Sequence, residues 1–345
     1  LIGIFTTEPR SQNLHESAYN SNFLYIVVNS GGGSALLEHL ASDLTLKDLE
    51  EMTTALQSKP LSIEEVNAVR KHVSAVKGGR LGKYFSEKGA TTINFILSDV
   101  IGDKLEVIAS GPTVPDKSTY QDAWYILEKY DLINRLSDKA PAVLIHLKKG
   151  INGEIPETPS ETIPNVQNVI VGNNRLAAEA AAEKAAELGI DPFILEDELT
   201  SEVVEASKGV YSVAKDLAEN PNLEKPICLV LGGETTVELS DDPGMGGRNQ
   251  DLAVRAGINL EKLPNVLIAH YGTDGTDGNN DAAGGFGDHS LIAASEALGL
   301  DPHKFLQGND TYNLLKKLGD DYHIVLGPTG TNVCDITLII AWPKS

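Results

Sequence analysis

Cysteine is almost absent: Cys228 and Cys334 are the only two in 345 residues. They can build neither a disulfide framework nor a cysteine-rich metal site, and such scarcity fits a reducing cytosol, so a cytoplasmic location is expected. No apolar run approaches the roughly 18 residues of a membrane span. Cations are also scarce, with 28 Lys and Arg against 49 Asp and Glu and a formal charge of −21. That balance argues against nucleic acid as a partner, because a phosphate backbone requires clustered Lys and Arg. The eight histidines do not cluster, and no Ser-His-Asp, Cys-His, H-E-x-x-H or G-x-S-x-G arrangement occurs, which excludes the familiar serine and zinc hydrolases. A Walker A loop is missing as well. No signal peptide is visible. The chain opens on Leu1 rather than methionine, so it is expected to begin partway into a longer protein.

What the sequence has in quantity is glycine, 32 residues, concentrated in loops that follow apolar runs. The densest is "YGTDGTDGNNDAAGGFGD", 271–288, with four acidic residues and six glycines. Glycine carries a high entropic cost on folding and buried carboxylates need partners, so this segment reads as a surface loop that folds around something. Asp277, Asn279 and Asp281 imitate the start of an EF-hand. Ala282 and Asp288 stand where that loop requires glycine and a bidentate glutamate, so calcium of that kind is rejected.

The repeating pattern is an apolar strand, a glycine-rich loop and a helix, as in "FLYIVVN" (23–29), "SGGGS" (30–34) and "ALLEHL". "VQNVIVG" (166–172), an alanine-rich helix capped by Asn173 or Asn174 and stopped at Gly189, and "DPFILE" read as one βαβ unit. Three later runs, 226–239, 265–278 and 322–342, end in glycine-rich loops expected on one functional edge of a parallel sheet. The proline-interrupted stretch 218–226 is the expected domain boundary. It gives an N-terminal α/β domain over 1–222 and a C-terminal α/β domain over 223–345.

Four loops hold candidate site residues. Gly31, Gly32, Gly33 and Ser34 form either a phosphate cradle at a helix start or a tight turn. Lys77 precedes two glycines in a locally basic stretch, 70–84. Gly246, Gly247, Arg248 and Asn249 resemble a dinucleotide fingerprint that fails at Asn249. They leave an arginine suited to gripping carboxylate or phosphate, or alternatively one paired with Asp241, Asp242 or Asp251. Thr329 and Asn332 belong to a further hydroxyl-rich turn, "GPTGTNVCD" (327–335).

In order, "SGGGSALL", "VRKHVSAVKGGRL", "LSDVIGDKLEVIASGPTVPD", "GGETTVEL", "GMGGRNQDLA", "GTDGTDGNNDAAGG" and "GPTGTNVCD" resemble the class II glycerate kinases, whose C-terminal half is the MOFRL domain. The resemblance covers nearly all of 24–342. It implies a Rossmann-like parallel-sheet N-terminal domain and a smaller α/β C-terminal domain, with the active site in the cleft. It also implies phosphorylation of D-glycerate by ATP with Mg2+, yielding 2-phosphoglycerate. The alternatives are a hydroxypyruvate reductase using a nicotinamide cofactor, against which the failed fingerprint counts, and an inert anion-binding module. Under the kinase reading Arg248 and Lys77 are catalytic candidates. Gly31 to Ser34, Gly246, Gly247, Asn249, Thr329 and Asn332 are nucleotide or phosphate ligands, and Asp274 and Asp277 hold magnesium, or one of them is the base that orients the glycerate hydroxyl, with Asp99 or Glu234 in reserve for the metal. The family's N-terminal Gly-Lys-Ala and Gly-His-Pro segments have no counterpart in 1–22. Self-association is left open.

Overall fold

The computed structural model describes the backbone of residues 3–5 and all of 23–196 and 198–344. The region in which the two N-terminal segments were sought therefore lies outside the described residues, apart from the strand at 3–5. The chain divides into two compact units, Leu1–Val171 and Gly172–Ser345.

The first unit has a four-stranded sheet in the order β1 (Gly3–Phe5), β2 (Leu24–Asn29), β3 (Thr91–Leu97), β4 (Val166–Gly172). Strands β2 and β3 are parallel, pairing Leu24 with Thr91 through Asn29 with Ile96, while β1 is antiparallel to β2. A separate helical core forms where Met52, Leu56, Val69, Leu127, Leu136 and Leu147 meet. Three of its helices begin with reciprocal capping boxes, Thr45 with Asp48, Ser62 with Glu65 and Thr119 with Asp122, which satisfy amides that would otherwise be orphaned.

The second unit holds six strands: β5 (Asp191–Ile194), β6 (Ile227–Gly233), β7 (Val266–Gly272), β8 (Gly284–Asp288), β9 (His323–Ile324) and β10 (Asp335–Ala341), in the order β5-β6-β10-β7-β8-β9. Here the expectation of parallel strands is corrected. Only β5 and β6 run parallel; β10 is antiparallel to both β6 and β7, between which it lies, and β8 and β9 continue antiparallel. Continuous apolar runs report burial on both faces rather than direction. One face carries Leu229, Ile268 and Ile339 against the helices Val203–Glu219 and Arg248–Asn259, and the other carries Val230 and Ile336 against the helix Asn174–Glu187.

Two further corrections follow. Strands β4 and β5 belong to different sheets, so the expected βαβ unit is a helix leading from one sheet to the other. Its N-cap is Asn173, whose Oδ1 accepts the Leu176 N–H at 2.9 Å. The stretch 218–226 is not at the division between the units but joins the helix Val203–Glu219 to β6 inside the second unit, because β5 pairs with β6 and brings its helices along. The units are consequently of near-equal length. Among the described residues no helix is long and apolar enough to cross a membrane.

The expected gathering of loops on one edge does occur. Asp335, at the start of β10, stands in register with Gly233 and Gly272, the last residues of β6 and β7. An antiparallel strand beginning where its neighbours end brings the loops 234–247, 273–283 and 325–334 to the same edge.

Candidate active site

The helix Arg248–Asn259 starts at that edge with Gly247 as N-cap, which has no side chain to offer. Asp277 supplies the missing acceptor from the loop after β7. Its Oδ1 accepts the Asn249 N–H and Nδ2–H, both at 3.1 Å, and its Oδ2 accepts the Gln250 N–H at 2.9 Å and Nε2–H at 3.0 Å. The group is 2% exposed. Burial raises its pKa, opposed by the donors of Gln250 and Asn249, and the neighbouring Asp335 charge raises it further. A Cβ on Gly247 would come within 2.3 Å of the Asp277 Cγ, so glycine here serves close approach.

With the helix start fixed, Arg248 is placed. Its Nε donates to Asp335 Oδ2 at 2.5 Å and its Nη2 to Asp335 Oδ1 at 2.9 Å, while Glu234 Oε1 stands 3.2 Å from Nη2. Burial works against the guanidinium charge, but the Asp335 hydrogen bonds and charge, helped by Glu234 and Asp277, outweigh it and hold the proton more firmly than in water. The pairing with Asp241, Asp242 or Asp251 considered from sequence does not form: Asp251 is taken by Arg255. Arg248 lines a cavity of about 650 Å³ together with Glu234, Thr235, Gly246, Gly247 and Asp277, within the size range of small-molecule sites.

The remaining candidates in this unit shape loops. Asp274 Oδ1 accepts the Thr276 N–H at 2.9 Å, and the Asp274 carbonyl accepts the Thr329 N–H at 3.2 Å. Thr329 Oγ1 donates to the Thr273 carbonyl at 2.7 Å, with the Thr331 carbonyl 3.0 Å away, and Asn332 Oδ1 accepts the Cys334 N–H. Asp281 is bonded to Tyr312 and Asp288 to Ser290. The carboxylates of the 271–288 loop are thus dispersed among separate partners, and no cluster of three metal-ligating groups occurs among the described residues. Of the two carboxylates expected to hold magnesium, Asp277 has both oxygens engaged by protein donors, four in all.

In the first unit the glycine loop is held tightly. A Cβ on Gly31 would lie 2.1 Å from Asp99 Oδ2, and one on Gly33 would lie 2.7 Å from Ala109 Cβ; Gly32 has φ +77°. Ser34 Oγ meets Ser110 Oγ at 2.9 Å, and Ser110 donates to Asn67 Oδ1. The helix expected to follow is a single turn, Gly33–Leu36, too short to supply the dipole invoked for a phosphate cradle. Lys77 is 1% exposed, and its Nζ donates to the Leu37 carbonyl at 2.5 Å and Glu38 Oε2 at 2.7 Å. Burial lowers its pKa, Glu38 opposes this, and Arg70 adds to the lowering.

Sequence reasoning missed Asp335 and Gln250 and held Glu234 only in reserve. Asp335 was legible only as the last residue of the turn 327–335; nothing local joins it to an arginine 87 positions earlier.

Comparison with known proteins adds the following. The MOFRL family model matches residues 227–335, and the model described as a domain of unknown function (DUF4147) matches 9–145. The chain is 40% identical over 324 residues to the glycerate 2-kinase of Pyrococcus horikoshii, covering 94% of this chain and 72% of that protein. It is 41% identical over 322 residues to the D-glycerate 2-kinase of Thermotoga maritima, covering 92% and 72%. The crystal structure of a Thermotoga maritima glycerate kinase matches with a TM-score of 0.83 at 40% identity, over 93% of this chain and 74% of that one.

Proposed function

Because the chain belongs to the glycerate kinase family, we propose that it transfers a phosphoryl group from ATP to a hydroxyl of D-glycerate, with 2-phosphoglycerate as the product. The supporting observation is Arg248, a guanidinium kept charged and aligned by a buried carboxylate on the wall of a cavity suited to a small ligand. Phosphoryl transfer is chiefly positioning and charge stabilisation, and a planar two-point donor suits both a carboxylate and a transferring phosphoryl group. The glycine-rich backbone at Gly246 and Gly247, which lines the same cavity, offers close approach without side chains. Lys77 and the loop Gly31–Ser34 are kept as candidates in the first unit.

Magnesium would take one or two carboxylates and keep several waters. Glu234 fits, since it lines the cavity and its side chain is 46% exposed. Asp274 fits too, having one oxygen engaged by the Thr276 amide. The ion's contribution there would be neutralisation of phosphate charge. Both cysteines are buried, and with only two in the sequence a cytoplasmic location is proposed.

The test is ATP consumption with D-glycerate, run beside NADH oxidation with hydroxypyruvate, and product identification by phosphorus NMR. Glycerate-dependent ADP release is expected. NADH oxidation without it would replace the kinase by a reductase, and ligand-induced stabilisation without either would leave an anion-binding module. For the metal, Asp274→Asn should slow turnover roughly 10-fold or more at limiting magnesium and recover in excess metal. An unchanged magnesium dependence would remove Asp274 from the metal site.

A further inference from the structure

Asp335 is 1% exposed and does not line the cavity that Arg248 faces. It reaches the guanidinium from the buried side through two oxygens, and its Oδ1 also accepts Asn249 Nδ2–H at 3.2 Å. Its position is heavily determined. At the row where β10 begins, the in-register residues of both flanking strands are glycines, Gly233 and Gly272, so no side chain competes beside the carboxylate. The preceding Cys334 holds a left-handed φ of +67°, which non-glycine residues rarely adopt without surrounding support. That support is present: Thr273 Oγ1 donates to the Cys334 carbonyl at 2.7 Å and accepts the Val333 N–H at 2.9 Å. Asn174 Nδ2 donates to the carbonyls of Val333 and Asp335 on either side.

Glu234 differs in kind. It meets the same Nη2 once, at 3.2 Å, from a half-exposed position, whereas Asp335 grips two nitrogens from within. A buried, bidentate, backbone-fixed carboxylate orients a guanidinium; an exposed single contact can exchange with a ligand anion. We propose that Asp335 is the positioning residue of the reaction, acting only through Arg248, whose guanidinium plane it sets relative to the reacting phosphoryl or carboxylate group. The inference rests on the kinase reading for its chemistry but on the geometry above for the anchor.

A double-mutant cycle tests it. Arg248→Ala should lower kcat/KM roughly 10²-fold, the scale of losing one preorganised donor, and Asp335→Asn should lower it on the order of 10²-fold through misalignment, mostly in kcat. In the Arg248→Ala background, Asp335→Asn should then change kcat/KM by no more than about 2-fold. Multiplying losses would show that Asp335 acts on the fold independently of Arg248 and would overturn the proposal. Asp335→Glu is the second variant: it keeps the charge and shifts its position, so it too should lose turnover, and wild-type kcat would overturn the positioning role. If the wild-type protein consumes no ATP with glycerate, the functional reading fails alone, and the cycle is read from the melting-temperature shift produced by inorganic phosphate and by D-glycerate. A shift lost equally in both single variants and in the double upholds the anchor; a shift retained in Asp335→Asn, or absent from the wild type, overturns it.

Discussion

At the residue scale, His270 shows how buried polar groups under the site are handled. It lies on β7, 1% exposed, with Nδ1 2.5 Å from Thr337 Oγ1 on β10. Burial pushes its pKa down to about 4; the Asp335 charge opposes that and the Arg248 charge adds to it. The folded ring is therefore neutral where the unfolded ring, at its ordinary pKa near 6.5, takes up a proton. Stability from this group is full above about pH 6.5 and is lost as pH falls towards 4, by roughly 3 kcal/mol in all. His270→Gln should reduce the drop in melting temperature between pH 7 and pH 5 relative to wild type, and an identical drop in both proteins would show that His270 does not titrate in this window. Arg248 was singled out by its glycine-rich setting and Lys77 by the glycines after it. His270 and Asp335 were not, because their partners are set by strand register, and a sequence shows register only after the pairing is known.

At the element scale, the helix Arg248–Asn259 depends on a cap borrowed from another loop. A glycine at an N-cap is ordinarily replaceable, and many Gly→Ala changes stabilise through the unfolded chain. Gly247→Ala should do the opposite, because its Cβ would stand 2.3 Å from the Asp277 Cγ. Displacing that carboxylate frees four donors, and a loss of roughly 2 kcal/mol is expected, the upper range for a lost cap, read as a lower urea midpoint with unchanged slope. An unaltered midpoint would mean that the loop 273–283 yields without cost. The helix itself was legible from its glycine entry and apolar pattern, as was the alanine-rich helix, whose cap the sequence narrowed to Asn173 or Asn174 and the structure places at Asn173. Strand direction was not. The run 322–342 contains two strands, β9 and β10, separated by the loop that shapes the site, and uniform burial of β10 erased the alternation that marks an antiparallel strand with one wet face.

At the scale of the whole molecule, the division into two units makes a testable claim about chain segments. Residues 172–345 contain every strand of the second sheet and the helices on both its faces. The segment 223–345, delimited by the boundary expected from sequence, lacks β5 and the helices Asn174–Glu187 and Val203–Glu219. It would leave Val230 and Ile336 bare on one face and half of the Leu229–Ile339 face uncovered. Expressed alone, 172–345 should unfold in one cooperative transition, whereas 223–345 should aggregate or lack near-ultraviolet circular dichroism. A cooperative melt of the shorter segment would restore the earlier boundary. The prolines of 218–226 signalled a break in the pattern correctly. They could not signal that the strand on the near side pairs with the strand on the far side.

The central place of β10 bears on synthesis. Strands β6 and β7 each pair with it over seven residues, Ile227–Gly233 and Val266–Gly272, yet it leaves the ribosome after both of them. Until residue 341 has emerged, both strands present an apolar edge with open hydrogen-bonding groups, the kind of surface on which nascent chains associate. Arg248 likewise has no Asp335 to meet. The sheet and the guanidinium anchor are thus completed by one late insertion, so the second unit is expected to need shielding by chaperones during translation and to reach a competent site only after β10 has docked.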